Sequence, residues 1–314
     1  MRLILNQNTK NIKRAVLGVG TNSTRLLVAE FVNPLKIIAR RSIGTRLGEG
    51  LRESGQLGEE PMRRTLRALN THITTARRST DNITVIATSA MRRADNAQIF
   101  IDRIVDLTDS NVVILSGEEE ASCSFRGAVH SFRGNGQRVG VVDIGGGSTE
   151  YATGTRLAVE KTVSCEVGAV RLTEWLPGLA GHEGFVENET IDSSRERARE
   201  LLSALHDFPT VSVIVAVGGT ATTSASVLRG HRIEPRQSTV GRQALEAVFN
   251  KICELPIGKR RCLPGMVPQR ADILPAGMIV LDTVLELLGH DSCIASRDDL
   301  LLGYLLSHTQ AGIA

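Results

Sequence analysis

Leu17-Gly18-Val19-Gly20-Thr21-Asn22-Ser23-Thr24-Arg25-Leu26 and Val142-Asp143-Ile144-Gly145-Gly146-Gly147-Ser148-Thr149-Glu150-Tyr151 share one pattern: apolar strand, turn of small residues, apolar strand. The offset is 125 residues from Gly18 to Asp143 and from Ser23 to Ser148, and it holds again from Arg46-Leu47 to Arg171-Leu172. Self-similarity at a fixed offset marks a duplicated unit. Glycine lets the backbone approach a ligand closely. Successive N–H groups in such a turn form an anion-binding concavity, and Ser and Thr hydroxyls add donors. Either loop alone also reads as a β-hairpin with a glycine turn. The pair at constant offset points to two domains whose loops grip phosphate groups in a shared cleft.

The halves differ at two places. Asp143 stands just before its loop, where a carboxylate can hold a divalent cation against phosphates; its counterpart is Gly18. Glu150, beyond the second loop, is matched by Arg25. The second loop therefore reads as the metal-binding one and the first as a phosphate grip.

Working outward, residues 16–31 read as strand, turn, strand, and 35–42 as a third strand. Pro61 opens a helix with Met62, Leu66, Leu69, Ile73 and Ala76 on one face. Strands are expected at 83–87 and 112–115, with a helix at 97–107 between them. The second half repeats the scheme with strands at 139–143, 150–153, 157–164 and 211–217. Its helices are expected at 187–205, 242–255, 271–288 and 298–308. Such alternation predicts an α/β fold with mixed sheets flanked by helices. The domain junction is expected near 120–138, where Gly127, Gly134 and Gly136 cluster. Residues 1–13 read as a loose extension or an extra edge strand.

Bulk composition excludes several classes. The 314 residues are 41% apolar and 23% charged, a globular balance with room for two domains. A net charge of +3 without a basic stripe, and only 3% aromatic residues, argue against nucleic-acid binding. No apolar run approaches the ~20 residues that span a bilayer. The five cysteines form no CxxC pair, which fits a reduced, cytoplasmic chain.

Ser116-Gly117-Glu118-Glu119-Glu120-Ala121 follows a strand and opens a helix. Ser116 and Glu119 have the spacing of a capping box. Glu120, on another face and beside the expected cleft, is placed to act as general base on a water that attacks phosphorus. The helix dipole at that position favours its charged form. Gly218-Gly219-Thr220, after the 211–217 strand, reads either as cleft lining or as a tight strand-to-helix turn.

Together these segments resemble the exopolyphosphatase/guanosine pentaphosphate phosphatase (Ppx/GppA) family, in its short two-domain form. The resemblance is carried by Gly20 to Leu26, Ala87-Thr88-Ser89-Ala90-Met91-Arg92 with Asn96, Ser116 to Ala121, Asp143 to Glu150, Val167 to Leu172, Gly218 to Thr220, and Arg270-Ala271-Asp272. It implies two actin-like, ribonuclease H-like domains around a central cleft: 1–125 with a C-terminal helix at 298–314, and 126–297. It implies release of terminal orthophosphate from inorganic polyphosphate, or formation of ppGpp from pppGpp. In that reading Glu120 is the general base, and Asp143 and Glu150 are Mg²⁺ ligands. Asn22, Ser23, Arg92, Gly146, Gly147, Ser148, Thr149 and Gly219 contact phosphate. The resemblance also points to a homodimer, with no exposed apolar stripe assignable to its interface. The family usually has Asp where this chain has Gly18, which puts metal affinity in question. A kinase-like phosphotransferase and a sensor that binds polyphosphate or nucleotide without turnover are the competing classes.

Overall fold

The computed structural model describes residues 12–132, 136–182, 184–232 and 237–309. Two mixed sheets form two lobes. In the first, β1 (Ile12–Val19), β2 (Ser23–Phe31) and β3 (Lys36–Gly44) run antiparallel, and β4 (Ile83–Ala87) and β5 (Val112–Ile114) add in parallel, in the order β3-β2-β1-β4-β5. In the second, β6 (Val139–Ile144), β7 (Thr149–Gly154) and β8 (Val159–Cys165) repeat the antiparallel meander. There β9 (Val213–Val217) and β11 (Ser292–Ser296) take the parallel places, and β10 (Gln237–Gly241) is an added antiparallel edge. The order β8-β7-β6-β9-β11 is the first sheet's order again.

The central strands β4, β6 and β9 carry helices on both faces, so β4 and β9 read as unbroken β-branched and apolar runs, and β6 departs from this at Gly140 and Asp143. Helix Glu59–Ala76 buries Met62, Leu69, Ile73 and Ala76 on one face of the first sheet, together with Phe100 and Ile104 of helix Ala97–Thr108. The other face, Val16, Leu27, Ala29 and Ile86, is covered by Leu300, Leu301, Leu302, Tyr304 and Leu305 of helix Leu300–Thr309. Helix Leu274–Leu287 is the central helix of the second lobe's main core.

Helix Gly117–His130 spans much of the segment where the junction was expected. It runs unbroken through Gly127, and it packs Ala121, Phe125, Ala128 and Val129 onto the second sheet. Gly127 is there for helix contact: a Cβ on it would come within 2.1 Å of the Asp299 carbonyl oxygen and 3.0 Å of the Gly303 nitrogen. Gly134 lies outside the described residues. The 125/126 limit falls inside this helix, whose residues on both sides of it share one apolar cluster. We propose that the helix belongs with the second lobe and the final helix with the first. Ile12 and Lys13 are part of β1, and residues 1–11 lie outside the described residues. Helix 187–205 is also shorter than expected, Asn188–Leu201, followed by a tighter turn at Ser203–Asp207. None of the helices described is long and apolar enough to cross a membrane.

Candidate active site

The two glycine loops meet face to face. Gly20 N–H donates to the Ser23 carbonyl at 3.1 Å, and Gly145 N–H donates to the Ser148 carbonyl at 3.0 Å, so the repeat extends to the bond that closes each turn. Gly146 and Gly147 are required by the close approach. A Cβ on Gly146 would lie 3.1 Å from Thr21 Cβ, and one on Gly147 would lie 2.7 Å from Ser89 Oγ. Between the loops is a cleft lined by both turns, by Glu120, Asp143 and Glu150, and by Arg25 and Arg270. Asn22 Oδ1 and Ser89 Oγ are buried at its wall without a hydrogen-bond partner. Buried polar atoms are ordinarily paired, so this wall suits a polar ligand.

Glu120 is positioned from both sides. The capping box forms as read: Glu119 N–H donates to Ser116 Oγ at 3.2 Å, and Ser116 N–H to Glu119 Oε2 at 2.8 Å. One residue on, Glu120 turns inward and is buried. Arg92 approaches both of its oxygens, at 3.1 and 3.3 Å, and anchors itself on the Leu115 carbonyl at 2.6 Å. Burial pushes the Glu120 pKa up, against the pull of Arg92. This reverses the expectation from the helix dipole, because loss of solvation outweighs the field of a helix end.

Asp143 and Glu150 face each other as a cross-strand pair on β6 and β7. Ser124 Oγ donates to Asp143 Oδ2 at 2.7 Å, and Ser164 Oγ to Glu150 Oε1 at 2.8 Å. Burial, then Glu120 and Asp143, raise the Glu150 pKa well above the ordinary range. Burial also raises that of Asp143, opposed by Arg25 and Ser124. Among the described residues no group of three or more His, Cys, Asp or Glu side chains could by itself hold an ion. Mg²⁺ ordinarily takes one or two carboxylates and completes its shell with phosphate oxygens and water. A crowded, oriented carboxylate pair beside an anion-binding wall fits that ion.

Of the sequence-identified phosphate contacts, Asn22, Ser23, Gly146, Gly147, Ser148 and Gly219 line the cavity. Thr149 and Arg92 do not. Thr149 Oγ1 donates to the Val167 carbonyl at 2.6 Å, and Arg92 is spent on Glu120 and Leu115. Two cations escaped the sequence reading. Arg25 reaches the cavity from β2 and pairs with Asp299 at 2.7 Å. Burial works to lower its pKa, yet Asp299, Asp143 and Glu120 raise it on balance. Arg270 is desolvated and beside Arg25, which brings its pKa down to about 10. Gly219 makes room for it, since a Cβ there would sit 1.9 Å from the Arg270 Cζ. Arg270 stood in a motif quoted above, and Arg25 stood opposite Glu150 in the repeat; those were the available signals.

A model of the Ppx/GppA phosphatase family matches residues 27–308. The chain is 31% identical, over 96% of its length, to a bifunctional 3-dehydroquinate synthase/phosphatase of Fusobacterium nucleatum, and spans 47% of that relative. It is 30% identical to exopolyphosphatase 2 of Mycobacterium tuberculosis, covering 93% of this chain and 97% of the relative. The structure matches a crystal structure of the Aquifex aeolicus member of the Ppx/GppA family with a TM-score of 0.79 at 27% identity, over 97% of this chain and all of that one. The chain thus spans about half the length of one curated relative and nearly all of the other.

Proposed function

The chain belongs to the Ppx/GppA phosphatase family, and from that premise we propose that it is an exopolyphosphatase that releases terminal orthophosphate from inorganic polyphosphate. The observation that carries this reading is Glu120: a buried carboxylate, gripped by Arg92, at the wall of a cavity shared by two phosphate-type loops and the Asp143–Glu150 pair.

In this reading water attacks the terminal phosphorus. An O–P bond forms, the P–O bond to the next phosphate breaks, and Glu120 takes the water's proton. A base whose pKa is raised above the ordinary carboxylate range takes that proton more readily. Arg92 holds Glu120 in place and favours its charged form. Backbone N–H groups of residues 146–148, with Asn22 and Ser23, hold the phosphoryl group in line. Arg25 and Arg270 face the charge of the phosphates, a setting in which fixed cations count for more than in water. Asp143 and Glu150 would hold Mg²⁺. When bound, that ion neutralises charge on the phosphate oxygens.

The test is phosphate release by purified protein with Mg²⁺ on polyphosphate of several lengths and on pppGpp, beside Glu120→Gln. Release that collapses in the variant supports hydrolysis with Glu120 as base. Preference for pppGpp moves the assignment to the 5′-phosphatase. Binding without release on any substrate identifies a sensor.

A further inference from the structure

Arg46 and Arg171 are related by the repeat, and neither lines the cavity. Each is rooted behind its own loop. Thr45 and Arg46 N–H groups donate to the Asn22 carbonyl at 3.0 and 2.9 Å. Val170 and Arg171 N–H groups donate to the Gly146 carbonyl at 2.9 and 3.1 Å. From that footing each side chain serves a contact between lobes. Arg46 Nη2 pairs with the Asp272 carboxylate and lies 3.4 Å from the Gln269 carbonyl, both on the second-lobe turn that carries Arg270. Arg171 Nη1 holds Glu166 at 2.5 Å, and Glu166 faces Arg93 of the first lobe at 3.9 Å.

The backbone adds a second observation. Arg46 has φ +50°, in the left-handed region that bulky side chains avoid. Asp109, the other non-glycine residue of this kind among the described residues, caps a helix C-terminus, where such a φ is common. Arg46 sits in a connecting turn, where glycine would adopt the same conformation at less cost. What a glycine would lose is the guanidinium on Asp272.

We propose that Arg46 is a positioning residue: it ties the first phosphate loop to the turn that carries Arg270, so that closure of the lobes brings both to the same substrate phosphate. At the repeat-related position Arg171 holds Glu166, which faces Arg93 of the first lobe. The effect on turnover rests on the exopolyphosphatase reading; the effect on closure does not.

The experiment compares Arg46→Gly, Asp272→Asn and the exchange Arg46→Asp/Asp272→Arg with the unaltered chain. Small-angle scattering of metal-free, substrate-free protein reads closure, thermal melting reads stability, and phosphate release reads KM and kcat. Arg46→Gly is expected to melt no lower than the parent, to have a larger radius of gyration, and to raise KM on the order of tenfold with a smaller change in kcat. Asp272→Asn should match it, and the exchange should recover part of both effects. Unchanged scattering overturns the proposal, whether or not melting falls. So does opening in Arg46→Gly that Asp272→Asn does not reproduce. If the unaltered chain releases no phosphate, the hydrolase reading fails and scattering still decides the tie.

Discussion

At one position in the repeat the two halves carry opposite charge. Gly18 is paired across the strands with Arg25; Asp143 is paired with Glu150. The backbones agree down to the turn bond, so the difference lies in what packs in front. A Cβ on Gly18 would come 2.8 Å from Leu301 Cδ2, because the final helix fills that space with leucine. On the second half the neighbouring residue gives way instead: a Cβ on Gly218 would come 2.5 Å from Asp143 Oδ1. One glycine admits a leucine, the other a carboxylate. Asp299, two residues before Leu301, then holds Arg25. Duplication kept the backbone, and what packs against each loop differs between the halves.

The strongest way to break this comparison is Glu120→Gln. If the second half's carboxylate wall is the reacting side, kcat falls on the order of 10²- to 10⁴-fold. Tripolyphosphate should still raise the melting temperature of that variant. Retention of a tenth of the activity would place the base elsewhere.

Next in size is Gly18→Asp. Overpacking against Leu301 alone should cost roughly 1–3 kcal/mol in urea denaturation. Gly18→Asp/Leu301→Ala should recover most of that loss and show whether a first-half carboxylate tightens Mg²⁺ binding. A neutral single variant would mean that Leu301 is not what excludes the carboxylate.

Glu150→Gln tests the second half from the other direction. It removes a carboxyl whose ionisation burial opposes, so metal-free protein at pH 7 should melt roughly 1–2 °C higher, the shift expected for about 1 kcal/mol in a chain of this length. The Mg²⁺-induced rise in melting temperature should shrink at the same time. A lower melting point in calorimetry would contradict the crowding described for that wall.

A last test separates the loops by pH. Thr24 Oγ1 lies 3.2 Å from Nε2 of buried His72, whereas its repeat partner Thr149 donates to a backbone carbonyl. Burial lowers the His72 pKa from 6.5, so the folded state takes up the proton less readily than the unfolded chain. Stability is then full above pH 6.5 and falls below it, by at most about 1.4 kcal/mol per pH unit. Hydrogen exchange should loosen in β2 before β7 on acidification, and His72→Gln should remove the difference.

The duplication was legible because it is local: a turn, its flanking apolar strands and a constant offset. The apolar strand at 83–87 was legible for the same reason. β10 and β11 escaped because Gln237–Gly241 and Ser292–Ser296 are short and mix small polar with few apolar residues, and their strand character comes from pairing with each other and with β9. Gly127 read as a linker because its reason, Gly303, is distant in the chain. Arg25 and Arg270 were visible as residues, but their destination depends on where Asp299 and Gly219 are brought by folding. Glu120 shows the limit most clearly. Its helix end could be read locally; the burial that reverses its pKa could not.

The final helix has a further consequence, for the order in which the molecule is made. Ribosomes deliver the strands of the first sheet early, yet the face formed by Val16, Leu27, Ala29 and Ile86 is covered by Leu300–Thr309. The second lobe has emerged in full before that cover exists. During synthesis, then, the lobe that begins first is completed last. Its uncovered face is the surface on which a nascent-chain chaperone would act.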